Sequence, residues 1–99
     1  MQFVAVLTRS PSFAPEEFTP HLPAEVRRAT ELYAAGTVRQ ILSRADGRGA
    51  ILVLETADET AASAAIRSLP LVAKDMLSVE LYGVGPYRGF ITSLAEPTR

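Results

Sequence analysis

The sequence predicts an α+β domain of ferredoxin-like βαββαβ order, with an antiparallel sheet carrying two helices on one face. A second copy is expected to cover the other face, giving a dimeric α/β barrel. Three observations lead there. The stretches Gly49–Glu55 and Phe3–Leu7 are apolar at both odd and even positions, and alternate strand residues point to opposite faces, so both strands need cover on both sides. Apolar spacing switches between strand and helix periods in the order β-α-β-β-α-β, and right-handed crossovers then place the first and third strands in the middle. Two helices on one face leave nothing further in the chain to cover the other. At about 25 cal/mol per Å² of apolar surface, covering such a face offsets the cost of association. The alternative cover is the C-terminal tail.

Taken in order, Met1–Thr8 reads as the first strand. Arg9–Pro15 is a loop, because its prolines lack a donor and constrain their predecessors. Glu16-Glu17-Phe18 suits a short helical turn. Pro23 suits the first turn of a helix over 22–35, with Leu22, Val26, Ala29, Leu32 and Tyr33 on one face and Gly36 as its stop. Thr37–Ser43 is a strand with Val38, Gln40 and Leu42 on one face, a mixed pattern that fits a sheet edge. Asp46-Gly47 signals a hairpin turn into the strand 50–55. Thr56 and Glu59 have capping-box spacing for a helix over 57–68. Its small-residue face, Ala61, Ala62, Ala65, Ile66 and Leu69, lets it lie close on the sheet, and Pro70 ends it. Residues 71–77 connect to the last strand, 78–84, where Val79 and Leu81 oppose Glu80, Tyr82 and Val84. The tail 86–99 carries Tyr87, Phe90, Ile91 and Leu94, which suit packing against something, such as the other subunit. The whole chain, 1–99, reads as a single domain.

Composition narrows the functions. The chain has 99 residues, 47% of them apolar, which suits one folded domain with a modest core of its own. Ten basic residues against 11 acidic ones give no electrostatic footprint for nucleic acid or an anionic membrane. There is no Cys and one His, so disulfides and thiolate metal sites are excluded and a metal centre within one chain is not expected. No signal peptide or membrane-crossing run is read, and the expected location is cytoplasmic. The expected partners are a second copy of the chain and a small molecule. No cofactor is expected.

Few residues carry chemistry. A carboxylate in a partly desolvated pocket has its charged form disfavoured and suits proton shuttling. Glu25 is the candidate catalytic residue on that ground, and a solvated first-turn acid facing the helix dipole is the competing reading. His21 stands four residues earlier and shares its helix face if the helix extends that far, where it would tune a proton donor. Pro20 and Pro23 flank it, so a loop His is the alternative. Arg39 suits bidentate contact with a substrate carboxylate, or serves as a protective edge-strand charge. Tyr33 and Tyr82 offer hydroxyls to a pocket, or serve as core or interface aromatics. Asp46-Gly47-Arg48-Gly49 lacks phosphate-loop spacing and reads as a hairpin turn.

The run Glu25–Leu71 resembles the muconolactone isomerase-like family. The matching marks are Glu25, Gly36-Thr37, Arg39, the helix Ala61–Ile66, and Leu69-Pro70-Leu71. The resemblance implies a ferredoxin-like protomer that associates through its open sheet face. It also implies a pocket between helix and sheet, and a double-bond shift in a lactone by proton transfer without metal or organic cofactor. Val38 stands where the isomerases have Trp, and Val72-Ala73-Lys74-Asp75 replaces an aromatic-rich stretch, which implies a reshaped pocket. The related YciI-like family carries a His at the position of Glu25. A non-catalytic ligand-binding or assembly protein, and a cofactor-free monooxygenase, are the alternatives on the same scaffold.

Overall fold

A computed structural model of the chain describes residues 1–90. Its strands are β1 (Gln2–Arg9), β2 (Val38–Ser43), β3 (Gly49–Glu55) and β4 (Leu77–Val84). Its helices are α1 (Pro15–Phe18), α2 (Leu22–Ala34), α3 (Glu59–Arg67) and α4 (Pro70–Ala73), with a 3-10 turn at Thr19–His21. All strand pairs are antiparallel, in the order β2-β3-β1-β4. This is the ferredoxin-like arrangement, and its two central strands are those whose sequences are apolar on both faces.

Register fixes the two faces. Ala5 opposes Leu52 and Phe3 opposes Leu54; these four, with Leu7, are almost fully buried beneath the helices. Phe18, Leu32, Ala62, Ile66, Leu69 and Leu71 complete that core from the helix side. On the reverse face Val4 opposes Val53 and Val6 opposes Ile51. These four are only half-buried, and Leu42 and Tyr82 beside them are 45% and 50% exposed. Tyr87 and Phe90, the described tail aromatics, are exposed and stack edge-on against each other at 4.8 Å. Ile91 and Leu94 lie outside the described residues.

Four local expectations are corrected. A bulge between Val38 and Gln40 puts Val38 opposite Leu54 on the core face, while Gln40 and Leu42 face the reverse side. The N-cap of α3 is Asp58, whose Oδ1 accepts from the Ala61 N–H at 2.8 Å, whereas the Thr56 hydroxyl donates to the Asp58 carbonyl. A nearby aspartate one residue from the helix outcompetes the longer capping box. Residues 70–73 form a helix because Pro70 needs no N–H partner in a first turn. On α2 the amphipathic face is narrower than expected: Leu32 is buried, but Val26 and Tyr33 are 62% and 59% exposed. Gly36 at φ +81° and Gly47 at φ +73° terminate α2 and turn the hairpin as expected.

Candidate active site

A cavity of about 380 Å³ lies on the helix side of the sheet, between the start of α2, the β2–β3 hairpin and the entry to α4. Leucines, among them Leu7, Leu52 and Leu71, are the commonest residues in its walls, and Glu25, Arg9 and Arg44 are the charged residues that line it.

Glu25 is placed by two prolines. Pro23 lies in the first turn of α2, so Glu25 falls in that turn too. Across the cavity Pro70 opens α4 without an N–H, which leaves the Leu71 amide as an unpaired donor at the helix start. That amide donates to Glu25 Oε1 at 2.9 Å. Burial among the leucines raises the Glu25 pKa above the ordinary glutamate value, and the Leu71 bond offsets part of the rise.

Two arginines stand at the hairpin end, on opposite faces of the sheet: Thr8, which Arg44 reaches, shares the reverse face with Val4 and Val6, and Arg9 shares the helix-side face with Leu7. Arg44 follows β2 and is pinned at two points: Nη1 donates to Thr8 Oγ1 at 2.7 Å and Nη2 to Asp46 Oδ2 at 2.6 Å. The Arg48 amide and then Arg44 hold the Asp46 carboxyl below its usual value. Arg9, the last residue of β1, lies with its guanidinium 4.6 Å from the Phe18 ring centre. The Arg9 amide donates to the Arg48 carbonyl at 2.7 Å, which ties this strand end to the hairpin.

Of the candidate catalytic and binding residues read from the sequence, only Glu25 lines this cavity. His21 belongs to the 3-10 turn and lines a separate recess with Phe13, Glu17, Pro20, Lys74 and Met76. Arg39 and Tyr33 share a shallow recess outside the sheet edge, where Arg39 Nε donates to the Gly36 carbonyl at 2.9 Å. Tyr82 is on the reverse sheet face, donating to Glu80 Oε2 at 2.8 Å; that bond raises its pKa. Arg9 and Arg44 were missed because nothing in their local sequence marks them. Only the pairing of β1 with β3 brings a strand end and a hairpin together. A larger groove of about 780 Å³ runs between α3 and β4, but its acids, Glu59 and Asp75, are exposed.

No family model matches the chain, and no curated protein matches it. Among solved structures it is similar to muconolactone isomerase, with a TM-score of 0.73 and 22% identity over 88% of this chain and 91% of that one. The fold is that of muconolactone isomerase. It is also similar to 5-chloro-2-hydroxyhydroquinone dehydrochlorinase from Burkholderia phenoliruptrix AC1100, determined with 2,5-dihydroxybenzoquinone; there the TM-score is 0.70 and identity 12%, over 90% of this chain and 98% of that one. Among the described residues no helix is long and apolar enough to cross a membrane.

Proposed function

We propose that this protein is a small acid–base enzyme, an isomerase that shifts a double bond in a lactone or carboxylated molecule by moving a proton with Glu25. The observation that carries the reading is the Glu25 carboxylate, half-buried in a leucine-lined cavity with its pKa raised. A base of that kind is suited to take a proton from a carbon next to a carbonyl. The C–H electron pair moves into the conjugated system and the carbonyl oxygen gains charge. Glu25, now protonated, returns the proton to the far end of that system. The double bond has moved, the atoms balance and the carboxylate is restored. The Leu71 N–H fixes one carboxylate oxygen, and no hydrogen bond from the described residues occupies the other.

We also propose that the protomer pairs with a second copy through the reverse sheet face. The apolar row Val4, Val6, Ile51 and Val53, half-buried and flanked by the exposed Leu42 and Tyr82, supports this.

The test is proton exchange in deuterated water, followed by NMR. Muconolactone and 5-chloro-2-hydroxyhydroquinone, the molecules in the neighbours' names, are the first compounds to try, followed by other unsaturated lactones. Wild-type protein is expected to incorporate deuterium at carbon, and a folded Glu25→Gln variant to lose that exchange. Equal exchange in both proteins removes Glu25 from the reaction. A second reading is a non-catalytic ligand-binding protein in which Glu25 only staples α2 to α4, and the Leu71 bond favours it. Ligand binding with no exchange in any compound would support that reading.

A further inference from the structure

We infer that Arg9 binds the negatively charged oxygen of the ligand in the Glu25 cavity, so that the ligand class is an enolate- or phenolate-forming molecule with an apolar body. This rests on the reading above that the cavity is the ligand site. It names the group that meets the carbonyl oxygen as Glu25 takes the proton.

Arg9 continues a core row. Phe3, Ala5 and Leu7 point beneath the helices, and strand alternation puts Arg9 on the same face. The backbone there is held on both sides: the Arg9 amide donates to the Arg48 carbonyl at 2.7 Å and the Ser10 amide to the Met76 carbonyl at 2.9 Å. Arg9 is half-buried, and its guanidinium lies 4.6 Å from the centre of the Phe18 ring. Phe18 is itself buried and braced edge-on by Phe13 at 6.3 Å. Where an apolar residue would extend the core, the chain sets a permanent cation at the cavity wall.

That cation keeps its donors. A guanidinium has five N–H groups. Among the described residues the arginine side chains that donate hydrogen bonds are Arg28, Arg39, Arg44 and Arg67, and the Arg9 side chain has neither an acceptor nor an ion pair. The Phe18 ring holds its charge without a lone-pair acceptor. Arg44 also lines the cavity, but its guanidinium goes to Thr8, on the reverse face, and to Asp46.

Glu25 and Arg9 line one cavity without meeting. Opposite charges attract strongly beside apolar walls, yet no ion pair joins these two among the described residues. Each is anchored elsewhere, Glu25 on the Leu71 amide and Arg9 on the Phe18 ring. A molecule between them meets a base on one side and a cation on the other. As its proton passes from carbon to Glu25, the electron pair moves toward the carbonyl oxygen. A cation already in place compensates that charge without reorganisation.

Absorbance titration of 4-nitrophenol, which ionises to a coloured oxyanion near neutral pH, tests this. Wild-type protein is expected to bind the phenolate about tenfold more tightly than the neutral phenol, the worth of a charge-assisted hydrogen bond. The bound phenol then ionises at lower pH than the free one. Arg9→Met, which keeps an apolar stem on Phe18, is expected to lose that preference, and Arg9→Lys to restore part of it. Arg9→Gln serves if Arg9→Met fails to fold. Arg39→Met, on a different surface, is expected to match the wild type. In any compound that the wild type exchanges, Arg9→Met is expected to slow deuterium incorporation about 100-fold. Equal phenolate preference in wild type and the folded Arg9 variant, no phenolate binding by the wild type, or undiminished exchange in that variant overturns the inference. Arg9-dependent phenolate binding in a wild type that exchanges no compound leaves Arg9 as the anion-binding group and removes only the proton-transfer reading.

Discussion

The Glu25 side chain carries two opposed effects, burial that favours its neutral form and a Leu71 N–H that favours its charge, and burial is the larger. The sign of its pH dependence follows. A carboxyl whose pKa is raised on folding contributes stability at acid pH, below the unfolded value, and loses it as pH rises through the folded value. Glu25→Gln, which keeps an acceptor for Leu71, is therefore expected to gain thermal stability relative to wild type between acid and neutral pH. Melting temperatures measured across that range check this, and a difference independent of pH contradicts it. Gly49 shows a different residue-scale constraint. Its φ is +152°, and a Cβ there would lie 1.9 Å from the Leu7 carbonyl oxygen. Gly49→Ala is expected to cost at least about 2 kcal/mol in denaturant unfolding. That Glu25 falls in the first turn of α2 beside apolar positions was legible in the sequence. The place of Arg9 at the cavity was not, because it depends on the pairing of β1 with β3, which local pattern does not encode.

At the scale of elements, period and punctuation located the helices and strands well, and the errors fall where two local signals compete. Before α3 both Thr56 and Asp58 can cap, and the aspartate takes the Ala61 amide. Asp58→Ala is expected to cost about 1 kcal/mol, and Thr56→Ala less, in thermal unfolding of the two variants; the reverse order would restore the capping box. In β2 the bulge reverses the alternation after Val38, so a strict period of two assigns Val38 to the wrong face. The same bulge carries Arg39 outward to its contact with the Gly36 carbonyl, away from the cavity. α4 was read as a connector because four residues are too few for a helical period to show. That short helix nevertheless matters to the site, since its first free amide is the one that holds Glu25.

For the whole molecule, the order β2-β3-β1-β4 places the two doubly apolar strands at the centre, and the helices take one face only. The sequence held this information because a strand apolar on both sides has no use for solvent on either. Through Phe90 the tail gives the reverse face no cover: Tyr87 and Phe90 are 67% and 68% exposed. The cover proposed for it is a second copy. Val53, in the middle of the face and opposite Val4, is the place to test it, because a buried lysine there would lack a partner charge. Val53→Lys should then separate the copies and leave the helix-side core, which it does not enter, folded. The decisive measurement is sedimentation equilibrium of the wild-type protein beside Val53→Lys. The wild type is expected at a multiple of the 10.7 kDa protomer mass and the variant at the protomer mass; wild-type protein sedimenting as a single protomer would overturn the pairing.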